Sequence, residues 1–117
     1  MDSFRFAAEG LLYVFRTQPN FRFHVVAACV ATGLGLWLQL TSVSWAILAL
    51  TIGGVLISEI LNTAAEALVD LVSPEYHPLA KQVKDLTAAA VLVAAATSVV
   101  VGLAILGPPL WARFGIV

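Results

Sequence analysis

Charge is what this chain has least of. Of its 117 residues, thirteen are charged, six basic and seven acidic, or 11% of the chain. A soluble domain carries about 25%. Hydrophobic residues make up 61%. So little polar cover cannot shield the surface that a soluble fold of this length leaves in water. An ordinary cytosolic domain and a disordered chain are both excluded. The net charge is −1, so no basic excess exists to attract a nucleic-acid backbone. Cysteine is nearly absent as well: Cys29 is the only one, and it lies in an apolar run, so no intramolecular disulfide can form. The chain also lacks a G-x-x-x-x-G-K-[ST] loop, a glycine-rich kinase loop, an H-E-x-x-H helix and any Cys/His metal cluster. Nucleotide chemistry here has to proceed without the phosphate-binding loops of soluble enzymes. What remains is a small integral membrane protein.

Three apolar segments carry the membrane reading, and the fold class is all-α. Phe23–Leu40 contains only His24, Thr32 and Gln39 as polar groups, Trp45–Ser58 is uninterrupted, and Leu86–Leu106 holds nothing more polar than Thr and Ser. The third is about 31 Å long as a helix, matching a hydrocarbon core of about 30 Å. Membrane helices are expected over about 23–40, 44–72 and 84–106, in one domain spanning 1–117. The second is longer than the core, so its last third should protrude into headgroups and water. Pro74 and Pro78 are expected to end it, leaving Ser73–Val83 as a polar connection and Gln39–Ser44 as a tight uncharged turn. Residues 3–18 read as an amphipathic surface helix, with Phe4, Ala7, Ala8, Leu11, Leu12 and Phe15 on one stripe. Asp2 and Glu9 argue against a signal peptide. Arg5, Arg16, Arg22, Lys81 and Lys84 flank one set of membrane ends, while only Arg113 lies near the other. The positive-inside rule then puts the N-terminus and the Ser73–Lys84 loop in the cytoplasm. Small residues such as Ala27, Ala28, Ala31, Gly33 and Gly35 are expected to let helices approach closely.

The informative stretch is Glu59-Ile-Leu-Asn62-Thr63-Ala-Ala-Glu66-Ala-Leu-Val-Asp70. Glu59, Asn62, Glu66 and Asp70 step by three, four and four residues, which confines them to an arc of about 80° on a helix. Three like charges on consecutive turns repel. A divalent cation or lysines must offset that, and Lys81 and Lys84 lie nearby beside Asp85. Magnesium takes one or two carboxylates together with phosphate oxygens and water, which such a stripe can provide. Glu59 lies near the hydrocarbon boundary, where an ionisable side chain is costly and marks function. Taken alone, Asp70 and Glu75 suit a solvated helix face, and His24, Tyr76 and His77 suit interfacial anchors. Trp37, Trp45 and Trp111 read as belt residues.

The string E-I-L-N-T-A-A-E-A-L-V-D at Glu59–Asp70, followed by E-Y-H at Glu75–His77 and K-D with A-A-A-V-L at Lys84–Leu92, resembles the small prokaryotic diacylglycerol kinases, a family that includes undecaprenol kinases. Glu9-Gly10-Leu11 and Asn20-Phe21-Arg22-Phe23-His24 fit the same pattern. The resemblance implies ATP- and magnesium-dependent phosphorylation of a membrane lipid alcohol. Glu59 would be the general base and Glu66 a ligand of the metal bridging the ATP phosphates. Asn62, Asp70, Lys84 and Asp85 would surround the triphosphate, and Glu75, Tyr76 and His77 would lie near the nucleotide. It also implies a homotrimer in the bacterial plasma membrane, with sites shared between subunits. One position departs from the pattern: Gln18 stands where the family usually has a second metal-binding glutamate, so metal binding there is expected to be weaker. The Phe-Arg-x-His string and Lys81 look more like the undecaprenol branch than the diacylglycerol branch.

Two other classes compete on the residues alone. A small oligomeric transporter or channel with Glu59 as proton or cation carrier would place its carboxylate near the bilayer midplane and need no stripe at one end. A non-catalytic assembly subunit leaves the stripe without a purpose.

Overall fold

The computed structural model describes residues 2–115, and all regular structure in it is helical. Four helices follow one another: α1 (Ser3–Thr17), α2 (Pro19–Leu38), α3 (Ser42–Val72) and α4 (Pro78–Arg113). The last three are long and apolar enough to cross a membrane. At about 1.5 Å per residue, α3 is about 46 Å long and overshoots a hydrocarbon core by about 16 Å. α3 and α4 form the main packed pair, with α2 against both and α1 reaching α2 and α3.

The helix ends show how the sequence sets the turns. Asp2 caps α1, its side chain accepting from the Arg5 N–H. At the other end of α1, the Arg22 guanidinium donates to the carbonyls of Phe15 (2.8 Å) and Arg16 (3.0 Å). A cation there satisfies acceptors that the helix leaves open and complements its dipole. Gln18 is the single residue between α1 and α2, and Pro19 occupies the first turn of α2, where its missing N–H costs nothing. Helix α2 stops at Gln39, which adopts a left-handed conformation with φ 56°, and Thr41 caps α3 by accepting from the Ser44 N–H.

Several expected boundaries shift, the start of α3 among them, at Ser42 instead of Ser44. The segment Pro78–Val83 is not part of the connection: α4 begins at Pro78 and only Ser73–His77 is non-helical. Pro74 does stop α3, but Pro78 starts a helix, because the fixed φ of proline suits the first helical position. The His77 side chain caps that start, with Nδ1 accepting from the Leu79 N–H at 3.1 Å. Helix α4 also runs seven residues past Leu106, through Pro108 and Pro109. A spanning helix tolerates such breaks where local adjustments re-satisfy the freed carbonyls. Helix α2 begins four residues before Phe23 for the same reason as α4 does, a proline at its first turn.

Buried side chains are few: Val14, Phe21, Leu48 and Val55 form the apolar interior, joined by Glu59 and Thr63. In α3, positions 48, 55, 59 and 63 share one face. The inward stripe of the helix therefore runs straight into its carboxylates. Gly35 belongs to this packing too: a Cβ there would meet Trp45 Cη2 at 2.7 Å, so glycine is what lets α2 sit against the indole.

Candidate active site

The stripe on α3 changes environment along its length. Glu59 is buried, at 3% exposure; Asn62 and Glu66 are half-buried; Asp70 is exposed. A helix that leaves the bundle as it leaves the bilayer produces this gradient. Glu59 sits about 26 Å along α3 from its start at Ser42, near one boundary of the apolar layer rather than at its middle. The Thr63 hydroxyl donates to the Glu59 carbonyl at 2.9 Å, so it serves its own helix and leaves the carboxylate alone.

Two polar atoms in this inner part have no hydrogen-bond partner: Glu59 Oε1 and Asn62 Oδ1. Burying an oxygen without a partner costs about 1–3 kcal/mol, and more when it is charged. Unpaired buried oxygens of this kind occur at catalytic groups and where water or an ion is bound. Both are acceptors on adjacent turns. Each suits a donor or a cation.

The outer part is a second environment. Asp70, Glu75, Tyr76, His77, Lys81, Lys84 and Asp85 line one open cleft of about 470 Å³ between the end of α3, the Ser73–His77 turn and the first turns of α4. Every residue that the sequence places at the nucleotide, apart from Asn62, therefore meets at this cleft. Within it, Lys84 Nζ contacts Asp70 Oδ1 at 2.7 Å and Lys81 Nζ contacts Asp85 Oδ2 at 2.6 Å. Both pairs are exposed and worth little as stability. The Lys84–Asp70 pair relieves the like-charge repulsion on α3, and the two pairs together hold two ammonium groups at the cleft. His77 has committed Nδ1 to the α4 cap, leaving Nε2 as its free ring nitrogen.

Glu66 lies between the two environments, one turn from each neighbour on the stripe, and among the described residues it forms no ion pair. Gln18 is half-buried at the α1–α2 junction and its side chain makes no cap hydrogen bond. Among the described residues no three of His, Cys, Asp and Glu are grouped tightly enough to hold a metal by themselves. Sequence reasoning passed over His24 as an anchor. The structure brings its Nε2 to 3.4 Å from Glu59 Oε1. The signal available was its position in the first turns of α2, at the depth of Glu59 on α3, but only the packing of the two helices joins them.

A family model for prokaryotic diacylglycerol kinase matches residues 5–106, a span that includes every candidate site residue. The chain belongs to the prokaryotic diacylglycerol kinase family. Among its relatives, the undecaprenol kinase of Bacillus subtilis is 44% identical over 108 residues, covering 92% of this chain and 88% of the relative. The diacylglycerol kinase of Synechocystis is 48% identical over 109 residues, covering 92% and 62%. The diacylglycerol kinase of Escherichia coli is 35% identical over 107 residues, covering 92% and 84%. Membership makes the chain a lipid kinase, a phosphotransferase with ATP as its co-substrate. The carrier reading of Glu59 is thereby set aside.

Proposed function

We propose that this chain phosphorylates the hydroxyl of a membrane lipid alcohol on the cytoplasmic face of a bacterial plasma membrane, with undecaprenol slightly favoured over diacylglycerol. The observation that carries the site assignment is a carboxylate at 3% exposure whose Oε1 lacks a hydrogen-bond partner, at the depth of a lipid headgroup. Glu59 is the general base. The lipid hydroxyl gives its proton to the Glu59 carboxylate while its oxygen lone pair forms a bond to the γ-phosphorus. The bond from that phosphorus to the β,γ-bridging oxygen breaks, its electron pair leaves with ADP, and the product is a lipid phosphate.

Positioning and charge neutralisation do most of the work in such a transfer. Glu66 lies about 10 Å beyond Glu59 along the same face, so a triphosphate held at the outer cleft reaches the lipid oxygen in line. Lys84 exchanges its Asp70 partner for phosphate oxygens as a point donor. Asn62, Asp85 and Glu75 to His77 complete the nucleotide surroundings. Glu66, with the orphaned Asn62 oxygen one turn away, would hold a magnesium ion together with phosphate and water, and Gln18 would add a neutral amide oxygen. Magnesium, when bound, neutralises phosphate charge. The undecaprenol preference is supported by His24 and Lys81, and by a Bacillus subtilis undecaprenol kinase matched over most of its length. The working unit we propose is a homotrimer.

The test is ATP-dependent phosphate transfer to undecaprenol and to diacylglycerol, measured side by side in mixed micelles. Glu59→Gln is expected to lower kcat by about a hundredfold or more while nucleotide binding survives. Loss of nucleotide binding instead would make Glu59 a ligand and remove it as the base.

A further inference from the structure

The geometry points to His24 as the residue that positions Glu59, through a hydrogen bond from its Nε2–H to Glu59 Oε1. This inference rests on the reading of Glu59 as the base. A buried carboxylate needs a partner, because the cost of desolvating its charge is returned only by hydrogen bonds or an opposite charge. Among the described residues, the one basic nitrogen within ion-pair distance of Glu59 is His24 Nε2, at 3.4 Å, with the two side chains 18% and 4% exposed. At that distance no hydrogen bond is formed, and Oε1 stays unsatisfied. A working N–H···O bond lies about 0.5 Å closer. Such bonds are often long in a free enzyme and tighten when substrate closes the site.

The surroundings of the imidazole allow that movement. His24 lines a cavity of about 120 Å³ between α2, α3 and α4, whose α2 wall continues with Ala27, Ala28 and Ala31. The ring therefore has small neighbours on its own helix and room beside it. The lining holds no carboxylate in competition with Glu59, and its two hydroxyls, Thr51 and Ser98, donate to the carbonyls of Ile47 and Ala95 on their own helices. His24 then fixes the carboxylate rotamer without touching the nucleotide, whose cleft it does not line. It acts through Glu59, as a positioning residue.

Three full-length variants test this. His24→Leu removes the donor at similar size beside an existing cavity. His24→Gln keeps an N–H near the position of Nε2. Loss of one hydrogen bond to a charged base predicts a kcat about tenfold lower for His24→Leu, with the KM for ATP within about twofold of the wild type. His24→Gln is expected to recover most of the loss. Equal activity in His24→Leu and wild type, or a loss that appears only in KM for ATP, would overturn the assignment. So would a His24→Gln protein as impaired as His24→Leu. A second readout needs no turnover: the side-chain nitrogen resonances of the two histidines, His24 and His77, in wild type and Glu59→Gln. A shift of the His24 Nε2 signal, with His77 unmoved, is expected. An unmoved His24 signal refutes the pairing. Absence of lipid phosphorylation by the wild type, with the His24 signal still responsive, would instead overturn the base assignment and leave the contact standing.

Discussion

Gln18 joins α1 to α2 and has a side chain that caps neither helix. A residue so placed is held by its backbone and keeps its amide available. Magnesium bound there, as proposed above, would rely on a neutral oxygen, which binds a hard dication less strongly than a carboxylate does. Gln18→Glu is therefore expected to lower the magnesium concentration for half-maximal activity several-fold, measured by titration at fixed ATP. An unchanged requirement would take Gln18 out of the metal shell. At this scale much was legible in the sequence. The spacing of Glu59, Asn62, Glu66 and Asp70 defined one helix face, and Asp70, Glu75, Tyr76, His77, Lys84 and Asp85 line one cleft. His24 was not legible, because its contact with Glu59 depends on how two helices cross. Nor were the caps made by Arg22 and His77, since a polar side chain in a turn reads equally as a ligand or as a backbone partner.

At the scale of the element, helices were legible from hydropathy, and their ends less so. Pro78 illustrates why: proline ends a helix that precedes it and begins one that follows it, and the same residue type marks both. Pro108 and Pro109 lie inside α4 because in a membrane the helix is the cheapest backbone available, even with carbonyls freed. The contact between α2 and α3 offers a direct test of packing. A Cβ at position 35 would lie 2.7 Å from Trp45 Cη2 and 3.0 Å from Leu40 Cδ1. Gly35→Ala should destabilise the fold by about 1–3 kcal/mol, seen as a lower Tm in detergent. An unchanged Tm would show that the indole swings clear. Trp45 is thus a packing residue as well as a belt residue.

At the scale of the whole molecule, a single chain leaves many large apolar side chains uncovered. Helix α4 has no buried residue among its 36, and its apolar faces are available to lipid or to other copies. The cleft proposed for the nucleotide is open. A 12.4 kDa chain has too little surface to enclose both a triphosphate and a lipid. On the homotrimer proposed above, the protein component in detergent should have three times the single-chain mass, by light scattering with the detergent contribution subtracted. A single-chain mass in the active preparation would remove the trimer.

The uncharged Gln39–Thr41 turn has a consequence for where the enzyme can operate. It holds one end of α3 at the far face of the membrane, and Glu59 stands a fixed rise above it, about 26 Å along a rigid helix. The helix is in effect a depth gauge. In a thin bilayer the carboxylate is lifted into the aqueous headgroup zone, and in a thick one it sinks among acyl chains, unless the bundle tilts or the lipid deforms. The lipid hydroxyl follows the headgroup plane while Glu59, the base we propose, follows the protein. Matching of bilayer thickness to the length of α3 therefore sets the distance between the two reacting groups, and the host membrane becomes part of the active-site geometry.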